Sequence, residues 1–109
     1  MLSLNALLEL AITKDASDLH LKVGSPPYLR IDGELVAQLD YTLTDDQTEA
    51  FLSDILNPKQ RQIFEERHEI DLAYSVKGLG RFRTNIFRQR GSVGIVMRRI
   101  TAGGSNTCC

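Results

Sequence analysis

The segment GRFRTNIFRQRGSVGIVMRRI fills residues 80–100 and carries six arginines and no acid. A guanidinium is planar, always charged and forked, so it recognises phosphate and carboxylate oxygens in pairs. Side chains alternate faces along a strand. Arg81 and Arg83 therefore project together with Asn85 and Phe87, while Phe82, Thr84, Ile86 and Arg88 take the other side. Phe82 and Ile86 read as core. Arg88 and Arg90 stand near a turn, and Arg98 and Arg99 point to opposite faces. All 14 acids lie within residues 1–71, whereas residues 72–109 hold seven of the 13 basic residues and no acid. Two readings follow. One is an anion-facing surface. The other is an edge sheet whose arginines deter aggregation and pair with the acids of the N-terminal half.

Nucleic acid is a poor fit for that surface. The sequence pI is about 6.1 and there is no Trp. Stacking platforms present aromatics among the cations, and Phe82 and Phe87 fall on opposite faces. Other chemistry is sparse. No Gly-Lys pair exists, so there is no phosphate-binding loop of the G-x-x-x-x-G-K-[ST] type. Gly78-Leu79-Gly80 opens no helix and reads as a hairpin turn. Ser92 has no nearby His–Asp arrangement. His20, on the polar face of a strand, reads as a structural hydrogen-bonding residue; His68, in EERHE, reads as solvated. Asp18 and Asp71, at strand starts, read as turn acids accepting from backbone N–H groups, or else as acids of an interdomain contact. Cys108 and Cys109 are adjacent at the C-terminus and can neither staple a fold nor hold zinc. The segment TAGGSNTCC, 101–109, reads as a disordered or non-native tail.

The elements that must position these residues follow from periodicity. Leu4, Leu7, Leu8, Ala11 and Ile12 repeat at helical spacing behind Ser3, a candidate N-cap. Asp18–Val23 alternates as a half-buried strand. Tyr28–Ile31 and Glu34–Gln38 flank Asp32-Gly33, a two-residue hairpin signal. Thr44 with Gln47 predicts a capped helix through about Leu56 that buries Ala50, Phe51 and Ile55. Asn57-Pro58 starts another helix through about Arg67. Ile70–Val76, Arg81–Gln89 and Val93–Ile100 read as consecutive antiparallel strands. The order α-βββ-αα-βββ, with helices grouped on an antiparallel sheet, is α+β. No apolar run approaches the ~18 residues that span a bilayer, and MLSLNALLELAITKD lacks the basic start and cleavage site of a signal peptide.

ASDLHLKV at 16–23, GSPPYLRIDGEL at 24–35 and the arginine segment at 80–100 stand in a distinctive order and spacing. With these blocks the chain resembles, over residues 2–100, the N-terminal domain of type IV pilus retraction ATPases of the type II/IV secretion ATPase superfamily. The resemblance implies a PAS-like α+β domain over 1–100. It implies a RecA-like motor domain, of the same or a neighbouring subunit, as partner. It further implies a homo-hexamer in the full-length parent, ATP and Mg²⁺ as that parent's ligands, and contact with pilus inner-membrane machinery. The place would be the cytoplasm, at the inner-membrane base of the pilus, and the activity twitching motility. The candidates for contacting nucleotide phosphate are Arg81, Arg83, Arg88 and Arg90, with Arg98 and Arg99 ranked lower. The sequence departs from the family pattern at Thr101, and Walker A, Asp box, Walker B and His box are all missing. The chain alone is therefore expected to hold neither cofactor nor metal and not to hydrolyse ATP. The alternative is a stand-alone PAS-like ligand-binding or interaction module.

Overall fold

The computed structural model describes residues 3–38 and 42–100. The tail assigned to 101–109, with Cys108 and Cys109, lies outside them. Nine elements follow in order: α1 (Leu4–Thr13), β1 (Asp18–Lys22), β2 (Tyr28–Ile31), β3 (Glu34–Ala37), α2 (Asp45–Ile55), α3 (Pro58–Arg67), β4 (Glu69–Val76), β5 (Gly80–Gln89) and β6 (Ser92–Ile100). The six strands form one antiparallel sheet in the order β3-β2-β1-β6-β5-β4. This is the expected α+β layout, with the helices on one face.

The helix-facing side of the sheet is apolar because alternate residues supply it. Leu19 and Leu21 of β1, Leu29 of β2, Phe82 and Ile86 of β5, and Ile95 and Met97 of β6 are buried there. Leu4, Leu7, Leu8 and Ala11 of α1 and Phe51, Leu52 and Ile55 of α2 close over them. Ala50, expected in that set, is only half-buried; the helix rotates so that Leu52 and the polar Gln47 and Thr48 face inward instead. The Thr48 hydroxyl is satisfied locally, donating to Asp45 O at 3.0 Å.

The helix starts are set by short polar side chains. The Ser3 hydroxyl accepts from Ala6 N–H and that of Thr44 from Gln47 N–H. Asn57 forms a full capping box with Gln60, one bond each way at 2.7 and 3.1 Å, ahead of Pro58 at N1. Asn followed three residues later by Gln is the sequence signal of that box. Asn57→Ala should lower stability by about 1 kcal/mol, read as a fall in urea midpoint at unchanged m-value.

Two hairpins depend on left-handed backbone. Asp32-Gly33 has φ of 53° and 85°, and Arg90-Gly91 has 54° and 82°. Positive φ at both central residues matches the right-handed twist of the flanking strands. The second hairpin aligns β5 with β6 through Gln89↔Ser92 and so sets where every arginine of the segment falls.

Candidate functional site

The sheet face away from the helices is open, and registry decides what stands on it. Asp18 of β1 pairs with Arg30 of β2 on one side and Arg98 of β6 on the other. Arg98 in turn pairs with Arg83 of β5. One row across the sheet thus reads Arg30, Asp18, Arg98, Arg83. The next row reads Tyr28, His20, Val96, Asn85, Asp71. Arg81 lies one position beyond Arg83 on the same face, opposite Ile100.

Two adjoining hollows run along these rows. One, about 480 Å³, is lined by Asp18, His20, Arg30, Val96 and Arg98 among others. The other, about 220 Å³, is lined by Asp71, Arg83, Asn85, Val96 and Arg98. They share Val96 and Arg98 and make one shallow groove with four arginines on its walls, Arg30, Arg83, Arg98 and Arg99.

Asp18 is the buried acid of the groove, 7% exposed. Its carboxylate stands 3.7 Å from Arg30 Nε, 3.7 Å from Arg98 Nε and 3.8 Å from His20 Nε2. This corrects the reading of Asp18 as a turn acid: it holds a knot of cations instead. Asp71 likewise reaches a side chain, accepting from Arg83 Nη2 at 3.1 Å. Arg83 is itself exposed, and the Asp71 hydrogen bond raises its already high pKa.

His20 is expected to make a structural hydrogen bond, but its Nε2 is buried without one. Burial, only partly offset by the Asp18 charge, pulls its pKa below 6.5. The unfolded chain therefore binds this proton at a higher pH than the folded one. Stability is full above pH ~6.5 and falls as the pH drops through the window below it. We expect the His20 ring to titrate below 6.5 by NMR, and His20→Gln to flatten the stability-against-pH curve there.

The other arginines go elsewhere. Arg88, on the helix side, stacks over Phe64 at 5.3 Å and donates to Glu65 at 3.2 Å, with Glu49 at 3.7 Å. Arg61 of α3 bridges the same two glutamates. Arg99 pairs with Asp15 at 3.1 Å. Arg90 sits in the β5–β6 turn. Thus registry groups Arg81, Arg83 and Arg98 on the open face; Arg99, held by Asp15, reaches the rim of the larger hollow beside Arg98, and Arg88 and Arg90 stand apart. Arg30 joins the group unpredicted; its signal was its place two residues before Asp32-Gly33 on the hairpin that pairs with β1.

Pairing with acids of the N-terminal half is real: Arg83, Arg88, Arg98 and Arg99 all do it. The edge position is not, because β5 and β6 are interior strands and the edges are β3 and β4. Arg81 and Arg90 have no acidic partner among the described residues.

The fold and this groove define a PAS-like α+β domain that presents arginines from an uncovered sheet. No protein-family model matches the chain. Curated relatives do. It is 40% identical over 99 residues to the type IV pilus retraction ATPase PilT of Pseudomonas aeruginosa, covering 91% of this chain and 29% of that protein. It is 39% identical over 94 residues to the type IV pilus ATPase PilU of the same organism, covering 86% of this chain and 25% of that protein. A crystal structure of the pilus retraction motor PilT with bound ADP superposes with a TM-score of 0.86 at 39% identity, over 94% of this chain and 30% of that one. The Legionella pneumophila ATPase DotB shares the fold, with a TM-score of 0.76 at 22% identity, over 89% of this chain and 28% of that one. The chain belongs to the type IV pilus ATPase family of PilT and PilU, and it spans less than a third of the length of these relatives.

Proposed function

We propose that this domain serves a type IV pilus retraction ATPase by lending arginines to an ATP site at its boundary with a RecA-like motor domain. The observation that carries the reading is the grouping of Arg81, Arg83 and Arg98 on one open face, beside a groove with no apolar cover. Arginines fixed on a rigid sheet stabilise charge developing on a transferring phosphoryl group without reorganising. In this reading the motor domain holds Mg²⁺ and the nucleotide, and this chain only supplies cations. Among the described residues no cluster of three or more His, Cys, Asp or Glu could hold a metal ion. The parent would be a hexamer in the cytoplasm at the inner-membrane base of the pilus, driving twitching motility. No helix among the described residues is long and apolar enough to cross a membrane.

Arg83 is the first residue of the set, since Asp71 already holds its guanidinium over the groove. Arg88 is the least accessible of the candidates, because Phe64, Glu65 and Glu49 engage it from the helix side. The test is a chimera in which residues 1–100 replace the matching segment of P. aeruginosa PilT. Magnesium-dependent ATP hydrolysis should exceed that of the motor portion alone and should collapse on joint Arg81→Ala and Arg83→Ala. A well-folded chimera no faster than the bare motor portion would defeat the reading.

A further inference from the structure

The open face holds another hollow, at the end away from Arg81 and Arg83. It measures about 260 Å³ and is lined by Lys22, Phe87, Gln89, Arg90, Ser92 and Gly94, with Val23 and Val93. Its floor depends on a glycine. A Cβ on Gly94 would lie 2.5 Å from Cε2 and Cζ of Phe87, so the ring rests against bare backbone. Its rim carries two cations, Lys22 at the end of β1 and Arg90 in the β5–β6 turn. Neither side chain has an ion-pair or hydrogen-bond partner among the described residues. No acid lines the hollow. Glu69, which registers opposite Phe87, accepts instead from Asn85 Nδ2 at 3.4 Å. The left-handed pair Arg90-Gly91 pins the Arg90 backbone.

Two uncompensated cations on the rim of one hollow repel one another, and an anion between them relieves that. Ser92 adds a hydroxyl donor and Gln89 an amide. A half-buried phenyl ring offers a flat apolar surface beside them. The volume lies just below the roughly 300–1,000 Å³ of ordinary small-molecule pockets. We propose that this hollow binds a small organic anion: a phosphate or carboxylate group carried on a flat apolar body. It is separate from the arginine group, since seven residue steps along β5 and into its turn part Arg83 from Arg90, roughly 23 Å. It needs no motor domain, so it stands or falls independently of the nucleotide reading.

The experiment is an NMR titration of the ¹⁵N-labelled chain with phenyl phosphate, inorganic phosphate and benzyl alcohol as separate probes. Phenyl phosphate should bind saturably with a Kd of ~0.1–1 mM. Its shifts should be confined to residues 22–23 and 87–94. Either half of the probe alone should bind at least ~10-fold more weakly, the equivalent of one charge-assisted or stacking contact. Lys22→Gln with Arg90→Asn, the latter tolerated in a left-handed turn, should weaken phenyl phosphate by ~10-fold or more. Gly94→Ala keeps both cations but drives the ring off the floor; it should bring phenyl phosphate down to the level of inorganic phosphate. The idea fails if no probe saturates by ~10 mM. It fails equally if shifts spread evenly to Arg81, Arg83 and Arg98, which is bulk attraction to arginine. Should Gly94→Ala not fold, as its own spectrum would show, the Lys22/Arg90 variant alone decides.

Discussion

Arg83→Ala in a pilus ATPase carrying this domain is expected to slow ATP turnover by on the order of 10²–10³-fold, with subunit assembly unchanged. The size follows from the task. A donor aimed at developing phosphoryl charge acts in a site from which water is excluded as domains close, and losing one costs several kcal/mol of barrier. Assembly should survive because Arg83 contributes little to the fold. Its side chain is 69% exposed and its one partner, Asp71, is itself half-exposed, and pairs of that kind add little stability. Arg88→Ala is the control. It lies on the opposite face, engaged by Phe64 and Glu65, and should cost stability while leaving turnover in the folded fraction close to normal. Steady-state ATPase rates with size-exclusion profiles of both variants separate the two. Equal rates for Arg83→Ala and the parent would take Arg83 out of the mechanism.

Phe64→Ala should cost about 3–5 kcal/mol, a large part of the 5–15 kcal/mol typical of a domain. Phe64 is fully buried and is the one buried residue of α3. The helix is otherwise mostly polar, with Lys59, Arg61, Glu65, Glu66 and Arg67, and its other large apolar side chain, Ile63, is exposed, so α3 has a single buried apolar anchor. Removing the ring also strips Arg88 of its stacking surface. The buried Arg88 Nε already lacks a hydrogen-bond partner, so the loss falls on a cation with little slack. We expect a large drop in urea midpoint and new proteolytic cleavage within residues 58–67. Phe64→Leu, which keeps most of the apolar volume, should recover much of the stability. A Phe64→Ala protein with wild-type midpoint would mean that α3 is held by something other than this anchor.

Local pattern determined much of this protein. Period-two alternation placed Phe82 and Ile86 in the core and Arg81 with Arg83 outside, because a strand cannot put neighbours on one face. Asp32-Gly33 announced its turn through the backbone it requires. Two sequence blocks in order were specific enough to indicate the family. Burial of Ala50 does not follow from pattern, since a helix with mixed faces, DDQTEAFLSDI, admits several rotations. The capping box at Asn57 is written in the sequence as Asn-x-x-Gln, with Pro58 at N1.

What sequence could not decide is which side chains meet across strands. Strand order places β1 between β2 and β6, so Asp18 meets Arg30 and Arg98, residues 12 and 80 positions away. Nothing local in DLHLK distinguishes such an acid from a turn acid. The same order moved β5 and β6 from the edge to the interior and spread six arginines over two faces and a turn. It set Lys22 beside Gly94 and Phe87, making a hollow from three strands. These are long-range pairings, and their free energy comes from burying one whole sheet face against three helices. Only the folded chain brings that sum together, and with it the partners of each charge.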